Sequence, residues 1–317
     1  LTEKMVNALQ KLNVGLFVID EAHCISKWGQ DFRPQYRELS RLKDDFPKAN
    51  IAAFTATADQ ATREDIAKQL SNNKFSIIVK GFDRPNLSLR VESKQDIKND
   101  IIGILEEKKG QSGIIYCLSR KETDATAEFF KEKGLNAIAY HAGKSGDERK
   151  KAQDRFMTEA SVIMVATIAF GMGVDKPDVR FVIHASLPSS IEAFYQEIGR
   201  AGRDGKNSDT IMFYGLQDLV MRQRMIFEGD KDEDYKFMEY KRLETLMGYC
   251  ETASCRRKAL LSHFDEQIEE CGNCDNCLEK PQVVDYSNEA KMILNAIKDT
   301  GQFFGAAHIT DVVRGAE

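Results

Sequence analysis

Gly113-Ile114-Ile115-Tyr116-Cys117, then an amphipathic stretch over 120–133, then Ala137-Ile138-Ala139-Tyr140: this succession decides the fold. Neither apolar run alternates with polar residues, so each reads as a strand covered on both faces. Two such strands joined by a helix form a βαβ unit, which sets them side by side in parallel. Outward from this unit, runs at 14–20, 51–55, 162–167, 181–184 and 210–214 have the same character, and helical patterns fill 147–158 and 190–203. The expected fold class is α/β, with parallel sheets whose strands are buried on both faces.

With 317 residues, the chain exceeds what one hydrophobic core usually holds, so two or three domains are expected. The strand pattern stops near 216, after which 216–227 and 234–264 read as helices. Gly81-Phe82-Asp83-Arg84-Pro85 separates two α/β portions, and Pro281 marks a later boundary before a helix at 287–299. The expected parts are 1–81 (the end of a first lobe), 82–215 (a complete second lobe), 216–282 (a helical module) and 283–317 (a truncated last domain). Leu1-Thr2-Glu3-Lys4 shows neither an initiator Met nor a signal-peptide pattern, so a fragment is expected.

No apolar run approaches the ~20 residues that span a bilayer. A net charge of −5 weighs against a nucleic-acid partner, because such domains are usually basic. It leaves room for a local basic track. Seven cysteines, an odd number without a secretory pattern, argue for reduced thiols inside a cell.

Val18-Ile19-Asp20-Glu21-Ala22-His23 places two carboxylates and an imidazole just beyond a strand, where parallel sheets bind ligands. Asp20 could hold Mg2+, Glu21 could orient or deprotonate a water, and His23 could sense a nucleotide. A polar turn is the plainer reading of the same residues. In the next segment, Trp28, Phe32 and Tyr36 are spaced four apart and interleaved with Lys27, Arg33 and Arg37. Aromatic faces that stack on bases beside cations that pair with phosphates suit single-stranded nucleic acid.

The acidic tetrad resembles motif II of superfamily-two helicases in its DEAH form. The aromatic segment is similar to the loop that follows motif II in RecQ helicases, with Gln30 where that family usually has His. Further resemblances follow in order: Ala53-Phe54-Thr55-Ala56-Thr57-Ala58 to motif III, Gly81–Leu87 to the inter-lobe segment, and Ile115-Tyr116-Cys117-Leu118-Ser119-Arg120 to motif IV. The first of these also reads as a helix-capping turn, and the second as a plain linker. The segment 165–177 resembles motif V, with Thr167 at a strand end and Gly171 and Gly173 open to close approach.

The helix expected over 190–203, capped by Ser189 and Glu192, carries Gln196-Glu197-Ile198-Gly199-Arg200-Ala201-Gly202-Arg203 and resembles motif VI. Arg200 and Arg203, three apart, are expected to share a helix face and to neutralise charge on a transferring phosphoryl group. Gly143-Lys144-Ser145 is not a P-loop, which needs a glycine five positions before Gly143, where Ile138 stands. Ser145 and Glu148 instead form a capping box.

Cys255-x15-Cys271-x2-Cys274-x2-Cys277 is the spacing of a four-cysteine zinc site. An iron–sulfur run would need a fourth cysteine where Pro281 stands. The segment resembles the RecQ zinc-binding subdomain, with Ser254–Arg257 expected on a helix, and residues from Phe303 onward resemble the start of a winged helix.

The resemblance implies RecA-like lobes and an ATP-dependent DNA helicase of 3′–5′ polarity, acting in recombination, repair and replication. It implies structural Zn2+, Mg2+ and ATP, with single-stranded and duplex DNA as partners and single-stranded DNA-binding protein and topoisomerase as further candidates. The compartment would be cytoplasm or nucleoid in a bacterium and the nucleus in a eukaryote, with no membrane partner. Asp20, Glu21, His23, Arg200 and Arg203 would be catalytic. Lys27, Trp28, Phe32, Arg33, Thr55, Thr57, Ser119, Arg120, Thr167 and Gln196 would bind DNA or couple it to hydrolysis. Without a P-loop, these residues alone are expected to be inactive; a non-catalytic DNA-binding or regulatory chain and a DEAH-type RNA helicase are the competing readings.

Overall fold

The computed structural model describes residues 2–26, 33–71, 75–171 and 174–315. The chain begins with α1 (Glu3–Gln10), β1 (Leu16–Ile19), a 3-10 turn over Ala22–Ile25, and the short helices α2 (Pro34–Arg37) and α3 (Leu42–Asp45). β2 (Asn50–Ala53) and α4 (Gln60–Ser71) complete this lobe. β1 and β2 pair in parallel, with Leu16 opposite Asn50 and Ile19 opposite Ala53. Ile19 and Phe17 pack with Val6, Leu42, Ile66 and Leu70. Leu16 and Val18, which share the other face of the strand, are 54% and 61% exposed. The expectation of burial on both faces therefore fails for β1, because no described element covers that side.

The second lobe runs β3 (Leu87–Ser93), α5 (Ile97–Glu107), β4 (Ser112–Tyr116), α6 (Arg120–Glu132), β5 (Ala137–Tyr140), α7 (Gly146–Thr158), β6 (Ile163–Ala166), β7 (Val179–His184), α8 (Ile191–Ile198) and β8 (Ser208–Tyr214). Among the described residues its six strands are all parallel, in the order β3-β8-β7-β4-β6-β5. Each face of the sheet has its own core. Tyr116, Met164 and Val182 pack with Phe156 of α7 and Phe194 of α8. Ile115, Val165 and Ile183 pack with Leu105 of α5 and Phe130 of α6. This is the doubly covered sheet that unbroken apolar runs require. Each of these buried aromatics contributes roughly 1.5–3 kcal/mol. A side chain at Gly113 would collide with the Phe181 ring, so β4 and β7 approach closely only because position 113 lacks one.

β3 was not among the expected strands. Its alternation of Leu87, Leu89 and Val91 with Ser88, Arg90 and Glu92 suits an edge strand with one wet face, and among the described strands it pairs only with β8. Ser145 and Glu148 form the expected capping box on α7, so Gly143-Lys144-Ser145 starts a helix rather than wrapping a phosphate.

The helical module contains α9 (Leu216–Phe227), α10 (Glu233–Glu251), α11 (Arg256–Ser262) and α12 (Asp275–Leu278). The single helix expected over 234–264 is thus two, and Cys255 is a cap rather than a helical residue. Its thiol accepts the Lys258 N–H at the start of α11. Arg256 donates to the Tyr249 and Cys250 carbonyls that end α10, at 2.8 and 2.9 Å. Such capping satisfies groups that a continuous helix would have paired internally. The chain divides into two compact units, Leu1–Glu279 and Lys280–Glu317. The second holds α13 (Ser287–Asp299) and α14 (Ala306–Val313). No helix among the described residues is long and apolar enough to cross a membrane.

Candidate nucleotide and nucleic-acid site

Asp20 lies immediately past β1 and is exposed, with its Oδ1 accepting the Glu21 N–H at 2.8 Å. Glu21 has φ 50°, a left-handed conformation that costs a non-glycine residue roughly 1–2 kcal/mol. The Phe54 carbonyl holds this turn by accepting the Ala22 N–H at 2.8 Å. His23 is buried, and its Nδ1 lies 2.9 Å from Thr55 Oγ1 and 3.3 Å from Glu21 Oε2. Thr57 N–H reaches the same Thr55 hydroxyl at 3.4 Å. One imidazole therefore links the acidic turn to the Thr55–Thr57 turn at the end of β2. Arg33 donates its backbone N–H to Cys24 at 3.0 Å and precedes α2. Lys27, Trp28 and Phe32 lie outside the described residues.

Across the cleft, α8 presents Gln196, whose Nε2 lies 3.4 Å from Glu21 Oε1. The structure corrects the expected helix here. Ser190, not Ser189, caps it by accepting the Ala193 N–H at 3.2 Å. The helix ends at Ile198, so Arg200 and Arg203 occupy the turn beyond it and share no helix face. Gly202 shapes the turn beyond: its φ is 56°, and a Cβ there would collide with Asn86 Nδ2. Arg200 donates to the Gly171 carbonyl, and Arg203 pairs with Asp175 at 2.7 Å. In this conformation both arginines are engaged within their own lobe, and Gln196 makes the approach to Glu21.

A buried layer supports α8. His184 Nε2 lies 2.7 Å from Glu197 Oε2, and the His184 ring stacks on Tyr116 with centroids 5.3 Å apart. The Tyr116 hydroxyl donates to the Phe170 carbonyl at 3.2 Å, next to the Gly171 group that Arg200 uses. Burial pushes the Tyr116 phenol far above its ordinary range despite the nearby Arg200, so it stays a donor.

The remaining candidates gather at the carboxyl ends of β4, β5 and β6, the ligand-binding edge of parallel sheets. Ser119 caps α6 by accepting the Glu122 N–H at 3.1 Å, and exposed Arg120 follows it. Thr167 directly follows β6 and accepts the Ala169 N–H at 3.4 Å. His141 and Lys144 both pair with Asp124, at 2.9 and 3.1 Å. Burial opposes ionisation of Asp124, but these two hydrogen bonds hold its carboxyl below the usual range.

The four candidate ligand sulfurs, Cys255, Cys271, Cys274 and Cys277, all lie within 4.8 Å of one another. Two pairs are 3.9 and 4.0 Å apart. Tetrahedral zinc with bonds of about 2.3 Å would set sulfurs about 3.8 Å apart, so the group fits. Burial raises Cys255, but N–H donors from Lys258 and Cys271 outweigh it and bring this thiol down to about 7. Burial and the neighbouring sulfurs push Cys274 up to about 12. Arg256 braces the cluster, donating through Nε to Asp275 at 2.9 Å and through its backbone N–H to Cys274 at 3.4 Å.

Beyond α11, His263 Nε2 meets Glu192 Oε1 at 2.7 Å, and Phe264 stacks on Phe82 with centroids 4.7 Å apart. Glu192, in the first turn of α8, thereby also ties this helix to the helical module. Burial would raise its pKa, but the His263 hydrogen bond and charge dominate and leave it at about 2, against 4.5 ordinarily. A depressed carboxylate stabilises above its unfolded value, so this contribution is present above pH 4.5 and lost as pH falls toward 2. It amounts to about 3 kcal/mol at most. Urea melts of wild type and Glu192→Gln should differ most near neutral pH and converge as the pH falls through that window. A difference that stayed constant with pH would contradict the pairing.

Residues 2–66 match the DEAD/DEAH box helicase family, 95–205 the helicase conserved C-terminal domain, 216–278 the RecQ zinc-binding family and 280–317 the RQC domain. Over 316 residues the chain is 40% identical to the ATP-dependent DNA helicase RecQ of Haemophilus influenzae, covering 99% of this chain and 51% of that protein. The chain belongs to the RecQ helicase family. The Bacillus subtilis RecQ helicase is 38% identical, with 99% of this chain and 53% of that protein covered. The RecQ-type chain thus spans about half the length of these curated relatives. Among solved structures, Saccharomyces cerevisiae Dbp5 bound to RNA and ADP BeF3 superposes with a TM-score of 0.55 at 20% identity, covering 75% of this chain and 67% of that one. At that identity the likeness concerns the fold. The zinc-binding match and the four-sulfur cluster together support structural Zn2+.

Proposed function

We propose that the full-length protein is an ATP-dependent DNA helicase that separates duplex DNA with 3′–5′ polarity in recombination, repair and replication. The observation that carries this reading is the approach of Gln196 to Glu21 at 3.4 Å, which joins the two lobes at one cleft. Glu21 takes the proton of, or orients, the attacking water, and His23 passes its state to Thr55 and Thr57. Exposed Asp20 is suited to a hydrated Mg2+, which would neutralise phosphate charge. Arg200 and Arg203 leave Gly171 and Asp175 to meet the charge developing on the transferred phosphoryl group.

Single-stranded DNA runs over the edge formed by Ser119, Arg120 and Thr167, with Lys27, Trp28, Phe32 and Arg33 coupling its binding to hydrolysis. The parts of the chain follow the boundaries 81/82, 215/216 and 282/283. An intracellular, DNA-containing compartment fits this role, with single-stranded DNA-binding protein and topoisomerase as candidate partners. Comparing DNA with RNA as stimulators of ATP hydrolysis by the full-length protein tests the reading. DNA should stimulate more strongly; equal or greater stimulation by RNA would favour an RNA helicase. A second reading rests on Gly143-Lys144-Ser145, which caps α7 and leaves this sequence without a G-x-x-x-x-G-K-[ST] loop. In it these residues serve as a non-catalytic DNA-binding module, and DNA binding by a full-length protein that hydrolyses no ATP would support it.

A further inference from the structure

Arg84 lies in the segment between the lobes, far in sequence from the arginine turn. Its guanidinium donates to the carbonyls of Ala201 and Gly202 at 2.9 and 3.0 Å, with Gly199 O at 3.5 Å. Gly199 is the C-cap of α8, and the Ala201 and Gly202 carbonyls belong to the turn that follows it, so Arg84 spans the whole turn rather than the helix end alone. Asn86 adds Nδ2 donation to Gly202 O and Lys206 O, both at 2.9 Å. Glycine is the only residue type that suits position 202 in this clamp. Its φ is 56°, and a Cβ would sit 2.7 Å from the Lys206 oxygen besides colliding with Asn86.

The clamp is itself held from behind. Arg257 of α11 is buried, pairs with Asp83 at 2.9 Å and donates to the Leu87 carbonyl. Residues 83–87 are thus fixed between the helical module and the turn that carries Arg200 and Arg203. A planar fork bonding three carbonyls sets the direction of a turn more narrowly than a lysine point charge can.

Resting on the proposed helicase reading, we infer that Arg84 is a positioning residue for phosphoryl transfer: it holds the 199–203 turn so that Arg200 and Arg203 can reach the nucleotide. Misplacing a reacting group by about 1 Å can cost roughly 10²-fold in rate. In the full-length protein, Arg84→Ala should lower kcat for DNA-stimulated ATP hydrolysis by roughly 10- to 100-fold, with KM for ATP and affinity for DNA nearly unchanged. Arg84→Lys, which keeps the charge but not the fork, should recover part of the loss. Hydrogen exchange gives a readout independent of turnover. Amides of 202–205 should exchange faster in Arg84→Ala, while those of β4 and β7 keep their protection, which also checks folding of the variant.

An Arg84→Ala protein with wild-type kcat, or with slow exchange at 202–205, would overturn the proposal. So would a rise in KM without a fall in kcat. Absence of DNA-stimulated hydrolysis in the wild type would instead sink the helicase reading and this proposal with it.

Discussion

Cys274→Ser is expected to cost the protein its metal and the folded arrangement of residues 216–278. Cys274 is fully buried, 3.9 Å from Cys255 Sγ, and receives the Arg256 N–H. Structural zinc contributes about 10–16 kcal/mol in small zinc modules, comparable with the whole stability of a domain at roughly 5–15 kcal/mol. A serine hydroxyl is a poor fourth ligand in the place of a thiolate. Damage should spread past the cluster, because Arg256 caps α10 and Arg257 holds Asp83. Zinc content and thermal melting measure the outcome. The variant should hold far less metal than wild type and lose the melting transition of the helical module. Wild-type metal content and melting in Cys274→Ser would rule out a four-thiolate centre.

Glu21→Gln is the second large effect. The amide is nearly isosteric, so the link to Gln196 and the left-handed turn can persist, but it cannot accept a proton. Loss of a general base costs roughly 10²–10⁴-fold. ATP hydrolysis by the full-length protein should fall by that factor while DNA affinity stays within the wild-type range. Undiminished turnover would remove Glu21 from the chemistry.

Much of this was legible in the sequence, for physical reasons. The runs at 113–117 and 162–166 are apolar at every position because both faces of β4 and β6 carry a core. The four cysteines were readable because metal ligation fixes residue type and spacing together. What sequence missed depends on contacts between distant segments. Periodicity carried the helix at 190 through to 203, whereas the helix ends at Ile198 and Arg84 and Asn86 hold the Ala201 and Gly202 carbonyls of the turn beyond it. Glu192 looked like a cap residue, and a histidine 71 positions away claims it. The break between α10 and α11 arises because the Cys255 thiol and the Arg256 guanidinium cap the two ends. β1 read as doubly buried from its apolar run, yet composition says nothing of what packs on Leu16 and Val18. The sequence marked Arg84 only as part of an inter-lobe segment, since its contact with the 199–203 turn exists only once the chain is folded.

Strand separation by the full-length protein tests the central claim most directly. Duplex DNA with a 3′ single-stranded tail and the same duplex with a 5′ tail are incubated with ATP and Mg2+, and release of the labelled strand is followed. The expected result is ATP-dependent separation of the 3′-tailed duplex, little with the 5′ tail, and none with Glu21→Gln. ATP hydrolysis without separation of either DNA, or separation that survives Glu21→Gln, would contradict the account.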